Sequence, residues 1–452
     1  MSGLSISWWR LIFPALALAG GIYIIRRIVL VGASYKAKIL CSALYVSGRR
    51  LASVLIEDVS ADSYRIMRLF GARVDEERKT VTVSLLGLGA RTAAYRPGLG
   101  ATLTVGVKAE ELTPRRIPES DVRRYPRMLE EDGRLAGLVS EAFTEPHPGR
   151  LRRTRAVVVV RDGRIIAERY APGFDQFSRV CGWSMTKSVL GALIGILVGE
   201  GRLALEQRKL APEWSAPGDP RGEITLDDML RMRSGLEFAE IYTNPLKDVT
   251  QMLFAQGDAA AFAAAKPLTA PPRTLWHYSS GTTNILSRLI RRTLGGSHED
   301  YLTFPRRALF DPAGMTRALL EPDAAGNFVF SSFMYASARD WARFGQLCLQ
   351  DGAWEGRRIL PAGWMGYCVT PTPQSPGGQY GAHWWLKLHE VMGGGSEAAR
   401  RIPGDAYFAI GHEGQVLTII PSLNLVVVRL GMSIHVDAWN HAEFMARLLA
   451  AL

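Results

Sequence analysis

Residues 181–201 read CGWSMTKSVLGALIGILVGEG. From Val189 to Val198 the stretch is apolar on every side, with Gly191 and Gly195 as its only small interruptions. A helix apolar all round is a buried one, and this one is too short to cross a bilayer. Ser184 and Lys187 therefore stand at the entrance of a helix that runs into a core. Residues three apart share a helix face, and a serine at a helix N-terminus feels the positive end of the macrodipole, which favours its alkoxide. A partly desolvated amine beside it, lowered in pKa, can accept the hydroxyl proton. The bland alternative is a capping serine with a snorkelling lysine. Against it, only nine of the 54 basic residues are lysines, and Lys187 alone has a serine three positions before it.

Working outward, this stretch lies between two hairpins. TRAVVVVRDGRIIAERY (154–170) pairs two apolar runs around Asp162-Gly163, and GQVLTIIPSLNLVVVRLG (414–431) pairs two more around Pro421-Ser422. Between them the spacing predicts helices over 187–201, 225–232, 281–294 and 338–349, with a last one over 437–452. Strands at both ends and helices between predict an α+β domain over 131–452: one antiparallel sheet built from its N- and C-terminal segments, with a helical region packed on it. Residues 34–130 read as a small strand-rich appendage and linker, and 112–150 are rich in proline and charge.

The N-terminal SWWRLIFPALALAGGIYIIRRIVLVG (7–32) holds an uncharged run from Leu11 to Ile25. Trp8 and Trp9 before it can sit in the membrane interface and extend the run toward the ~20 residues of a span. Residues 1–33 are read as a membrane anchor. A signal cleaved near Ala17-Leu18-Ala19 and a buried helix of a soluble domain are the alternatives. Arg26, Arg27, Lys36 and Lys38 follow the run, so the positive-inside rule points the bulk of the chain toward the cytoplasm.

Hydrophobic content of 47% and 21% charged residues are ordinary globular values. The net charge of +11 is carried by scattered arginines without a nucleic-acid motif. It is read as a preference for anionic membrane surface, with no nucleic-acid partner. Four cysteines form no CxxC pair, and His412 has no second histidine at helical spacing, so no metal and no cofactor are expected.

Two further elements carry candidate chemistry. In TLWHYSSGTTNILSRLI (274–290), Tyr278 and Ser280 sit in a tight turn before a helix, and a tyrosine hydroxyl shuttles a proton where a nearby cation lowers its pKa. In GHEGQVLTII (411–420), His412 and Gly414 stand at the start of a strand, where glycine admits close approach of a ligand. The amide of Gln415 then pairs with that of Ser184 as candidate oxyanion donors. Taken singly, each element also reads as packing.

The order S-x-x-K, then Y-x-S about ninety residues on, then a late H-x-G resembles the serine β-lactamase and penicillin-binding-protein superfamily. Within its class C branch the chain is most similar to the esterase and 6-aminohexanoate-dimer hydrolase type. ITLDDMLRMRSGLEF (224–238), PAGMTRALLEPDAAGNFVFSSFMYASARDWARFGQLCLQDG (312–352) and YGAHWWL (380–386) support it, and the likeness spans roughly 130–450. The resemblance implies a β-lactamase/transpeptidase-like fold with a cleft between sheet and helical region. It makes Ser184 the acylated nucleophile, Lys187 its proton acceptor and Tyr278 a proton-exchange partner. Ser280 takes the third position of that box, His412 lines the strand side, and Tyr242 in EIYTNP (240–245) lies near the substrate amide. Two departures bear on substrate. H-x-G replaces K-T-G, removing the ammonium that would hold a carboxylate, and Ser280 replaces an asparagine. Both favour a small, less anionic ester or amide over a β-lactam. A β-lactamase or D,D-peptidase, and a non-catalytic sensor or scaffold on the same fold, are the competing readings. Many relatives act outside the cytoplasm, so the chain is expected as a single-pass inner-membrane protein with its catalytic domain in the periplasm, against the charge rule.

Overall fold

The computed structural model describes residues 9–112, 133–295 and 298–452. Most of the expected linker, 113–132, lies outside the described residues.

The chain opens with α1, Trp9–Tyr45, 37 residues without a break and about 55 Å long. Its first half exposes Leu16, Leu18, Ile22 and Ile25, whereas Val31, Ala33, Ala37, Leu40 and Cys41 are buried. It is the one candidate span among the described residues. The boundary expected at residue 33 falls inside this helix. The buried half packs on a four-stranded antiparallel sheet of β1 (Phe70–Asp75), β2 (Thr80–Leu85), β3 (Leu88–Arg96) and β4 (Gly100–Leu103), joined in sequence order. Alternation explains the packing: Val81, Val83 and Ala93 are buried while Thr80, Thr82 and Thr92 turn outward.

Two of the cations on which the charge rule rested are consumed by this fold. Lys36 Nζ donates to the carbonyls of Met67 and Phe70, both at 2.7 Å. Lys38 is ion-paired with the fully buried Glu321, which also accepts from Ser42 Oγ at 2.8 Å and from the Ala101 amide at 2.7 Å. A buried pair of this kind ties elements together because removing one partner strands the other's charge. Residues 31–103 share one continuous hydrophobic core with the larger C-terminal region.

That region begins with α2 (Gly133–Glu141), inside the stretch expected to be linker, then β5 (Thr154–Arg161) and β6 (Arg164–Tyr170). The helices α3 (Thr186–Gly199), α4 (Leu226–Leu230), α5 (Asp248–Ala255), α6 (Ser280–Leu294) and α7 (Ala338–Leu349) follow. The closing elements are β7 (Tyr407–Gly411), β8 (Gln415–Ile420), β9 (Leu425–Gly431) and α8 (His441–Ala451). The five strands form one antiparallel sheet in the order β7-β8-β9-β5-β6, with the last strand against the first hairpin as expected. Asp162 and Gly163 both have positive φ, 50° and 74°, which is what a two-residue hairpin turn needs. Both faces of the sheet are covered, so its central strands β8, β9 and β5 read as near-continuous apolar runs, while the edge strand β6 alternates. Val158, Val426 and Val428 pack toward the helical region, and Val157, Val159 and Val427 toward α2 and α8.

Candidate active site

Ser184 lies in a single 3-10 turn, Trp183–Met185, that leads directly into α3. Trp183 adopts φ +47°, a left-handed conformation that costs a bulky residue about 1–3 kcal/mol. Its surroundings hold it there. The indole Nε1 donates to Glu413 at 3.1 Å, and His412 meets the ring edge-on at 5.4 Å. Gly411, at the end of β7, touches the same turn. A Cβ there would lie 2.2 Å from the carbonyl oxygen of Gly182, so only glycine lets the sheet edge close on the nucleophile's backbone.

Lys187 is 1% exposed. Its Nζ lies 2.9 Å from Ser184 Oγ, 3.0 Å from Ser280 Oγ and 3.0 Å from the Ser331 carbonyl oxygen. The hydrogen-bond inventory of these partners fixes what the amine can do. Ser331 O can only accept. The Ser280 hydroxyl gives its single proton to Glu240 Oε1 at 2.5 Å, so toward Lys187 it also accepts. Two N–H bonds of the amine are thereby committed. The third tetrahedral position faces Ser184 and carries either a third proton or the lone pair. Burial lowers the Lys187 pKa to about 8 against the opposing pull of Glu240, so both forms are populated near neutrality.

Tyr278 stands beside the Ser184 side chain, near enough to feel it, and its ring lies under Lys187 Nζ, 4.8 Å from the centroid. The expected lowering of the phenol by a cation is reversed. Burial pushes its pKa well up, the Glu240 charge adds to this, and only the Ser184 contact pulls it down. The phenol is therefore neutral at working pH and can exchange a proton only in concert with its neighbours.

The H-x-G residues form a turn between β7 and β8 rather than the start of the strand, which begins at Gln415. Gly414 has φ +81°, and a Cβ there would meet the Arg429 guanidinium at 2.6 Å. The Gln415 side chain clamps the turn, donating to the Gly431 carbonyl at 2.7 Å while the Gly431 amide donates to it at 2.9 Å. His412 is stacked on Tyr242, 4.6 Å between centroids and 13° between planes. Burial lowers the imidazole pKa, opposed by Glu413 and Glu240, so the ring faces the cleft as a neutral aromatic. The Tyr242 hydroxyl is buried near Ser280 and Ser332 without closing a hydrogen bond of ordinary geometry to either.

The cleft holds about 500 Å³, and Ser184, Tyr278, Tyr242, His412 and Gly414 all line it. The side chains of Lys187 and Ser280 lie behind its wall, and that of Gln415 turns away from it toward Gly431. Sequence reasoning missed the rest of the lining. Trp276 and Trp385 meet edge-on at 6.0 Å, and His389 packs 4.0 Å from Trp385, where burial lowers its pKa to about 4. Glu240 was missed as well, although it stands two residues before Tyr242 in the quoted EIYTNP. Nothing in that loop's local pattern marks it, because its partner Ser280 is forty residues away. Among the described residues no lysine or arginine lines the cleft, while two carboxylates, Glu240 and Glu413, do.

A family model described as beta-lactamase matches residues 141–436. The 6-aminohexanoate-dimer hydrolase of Paenarthrobacter ureafaciens is 25% identical over 299 residues, 61% of this chain and 72% of that protein. A family VIII carboxylesterase superposes with a TM-score of 0.55 at 14% identity, covering 73% of this chain and 99% of its own. A penicillin-binding-protein homologue from Caulobacter crescentus gives 0.54 at 17%, covering 71% and 98%. The solved structures share the β-lactamase/transpeptidase-like fold expected from the sequence.

Proposed function

The chain belongs to the beta-lactamase family, and from that premise we propose that it hydrolyses a neutral, largely apolar ester or amide through an acyl-enzyme on Ser184. The observation that carries this is the amine of Lys187, held by two obligate acceptors so that its third position faces the Ser184 hydroxyl. In its neutral form the lone pair takes the Ser184 proton as Oγ bonds to the substrate carbonyl carbon. The negative charge that gathers on the carbonyl oxygen is met by the amides of Ser184 and Gln415. The leaving group departs with a proton passed through Tyr278 and Lys187. Water then attacks the acyl carbon, giving its own proton back along the same path, and Ser184 is regenerated.

Substrate class follows from the lining. A wall of Trp276, Trp385, Tyr242 and neutral His412 beside two carboxylates favours an uncharged acyl group and repels an anionic one. With p-nitrophenyl esters of matched chain length, a neutral acyl chain is expected to have a kcat/KM roughly tenfold or more above one ending in a carboxylate. A chromogenic cephalosporin should be turned over more slowly than either. Efficient cephalosporin turnover would transfer the assignment to a β-lactamase.

Glu240 is assigned as a positioning residue, since it holds Ser280 and raises the Lys187 pKa. In Glu240→Gln the amide oxygen still accepts from Ser280 but the charge is gone. The acid limb of the pH–kcat/KM profile is then expected to move to lower pH, raising activity on that limb by a factor of roughly two to ten. A limb that stays in place removes Glu240 from the assignment.

The same reading takes residues 9–27, about 28 Å of helix, as a membrane span. Two of the four cations behind the charge rule, Lys36 and Lys38, are buried in the fold, and on this reading the catalytic domain is periplasmic and anchored in the inner membrane.

A further inference from the structure

The appendage sheet runs alongside α1, and its two ends differ in character. At one end Gly89, opening β3, packs on α1 so closely that a Cβ would lie 2.9 Å from Val29 Cγ1. At the other end Tyr45 Oη donates to Glu76, in the turn after β1, at 3.0 Å. Sixteen helical residues separate positions 29 and 45, a distance of about 24 Å. The β2–β3 hairpin tip therefore sits where α1 leaves its apolar stretch, and the β1–β2 turn sits far from it.

The near end is rich in uncovered apolar side chains. Leu86 and Leu88, at the hairpin tip, are 87% and 72% exposed. Leu69 precedes Phe70, which pairs with Leu85, so it adjoins the tip, and it is exposed together with Ile66. The same segment is held against α1, since Gly32 faces the rings and methyl of Phe70 and Met67. Cations are interleaved with these residues. Arg65 and Arg68 are exposed, and Arg91 lies close enough to Arg26 to feel its charge. Scattered exposed leucines are ordinary. A rim of four large apolar residues alternating with arginines, at the level where an apolar helix ends, is the pattern of a membrane interface.

We propose that this rim, formed by residues 65–69 and the 86–88 hairpin tip, seats on the surface of an anionic lipid bilayer as a second contact beside α1. The proposal rests on reading α1 as a span. If residues 9–27 cross the hydrocarbon, positions 29–32 lie in the headgroup layer, about 5–7 Å thick, and the rim is packed at that level. Leu86 and Leu88 reach the acyl boundary while Arg65, Arg68 and Arg91 face phosphate groups. Because α1 is continuous with the core, two contacts fix the tilt of the hydrolase domain on the membrane.

The test uses the full chain in vesicles of phosphatidylglycerol or phosphatidylcholine, in a Cys181→Ala background, since the other three cysteines are buried. An environment-sensitive fluorophore is placed by Ile22→Cys, Leu86→Cys or Glu77→Cys, the last in the distant β1–β2 turn. Quenching by nitroxide lipid at position 86 is expected to exceed that at 77 by at least about threefold in phosphatidylglycerol. It should be weaker in phosphatidylcholine and fall when Arg65→Glu and Arg68→Glu are added. Lipid quenching at 22 without quenching at 86, or equal quenching at 86 and 77, overturns the rim and leaves the anchor standing. A label at 86 shielded from aqueous quencher but untouched by nitroxide lipid means that protein, such as a second copy, covers the rim, and also overturns it. A water-exposed label at 22 fails the anchor reading itself, and the rim with it.

Discussion

Ser184→Ala is expected to lower kcat for any ester the protein turns over by roughly 10⁴- to 10⁶-fold, leaving only the catalysis that binding and amide donors provide. It should also abolish covalent labelling by a fluorophosphonate probe. The fold should be untouched. Ser184 is half-buried at the cleft wall, and Lys187 keeps Ser280 and Ser331 as partners when the hydroxyl is removed. Thermal unfolding should shift by no more than about 1 kcal/mol. Persistent labelling of the variant would place the nucleophile elsewhere. Intact mass after mixing wild type with an ester separates turnover from capture. An adduct that decays within the assay supports hydrolysis, whereas one that stays for hours on wild type would make the protein an acylated sensor.

How far the sequence carried this site depends on where each interaction is written. Four of the sheet's five strands were legible because both hairpins are local: Asp162-Gly163 and Pro421-Ser422 set the turns, and the β-branched runs on either side register themselves; the edge strand β7 was not marked. Ser184 and Lys187 were legible because three residues on one helix are enough to bring them together. The chemistry of Tyr278 was not. Its pKa is governed by burial and by Glu240, thirty-eight positions away in the chain, and neither is visible in YSS. The apolar wall of Trp276, Trp385 and His389 is assembled from segments more than a hundred residues apart. At the N-terminus the sequence marked an apolar run but could not show that one helix continues through residue 45. Nor could it show that Lys36 and Lys38 point into the fold, because their acceptors, Met67, Phe70 and Glu321, lie in other elements.

Lys187→Met is expected to cost roughly 10²- to 10⁴-fold in kcat/KM, and the shape of the pH profile makes the result specific. In wild type the amine works as a base only when neutral. With the Lys187 pKa lowered by burial to about 8, kcat/KM should rise with pH up to that value and then level off. Tyr278, raised by burial and by Glu240, contributes no opposing limb in the accessible range. In the methionine variant the limb near pH 8 should be gone. Lys187→Arg separates charge from basicity, because guanidinium keeps the positive charge but does not release its proton. It should be as inactive as the methionine variant if proton acceptance is what matters. Stability gives a second readout of the same amine. Between its folded value of about 8 and its ordinary value of 10.5, the unfolded chain binds a proton that the folded chain does not. Wild-type stability should therefore increase with pH across that window, and the methionine variant should lack the increase. Should the variant keep an acid limb near pH 8, then some other group takes the serine proton, and a buried amine 2.9 Å from the nucleophile would be there for packing and not for catalysis.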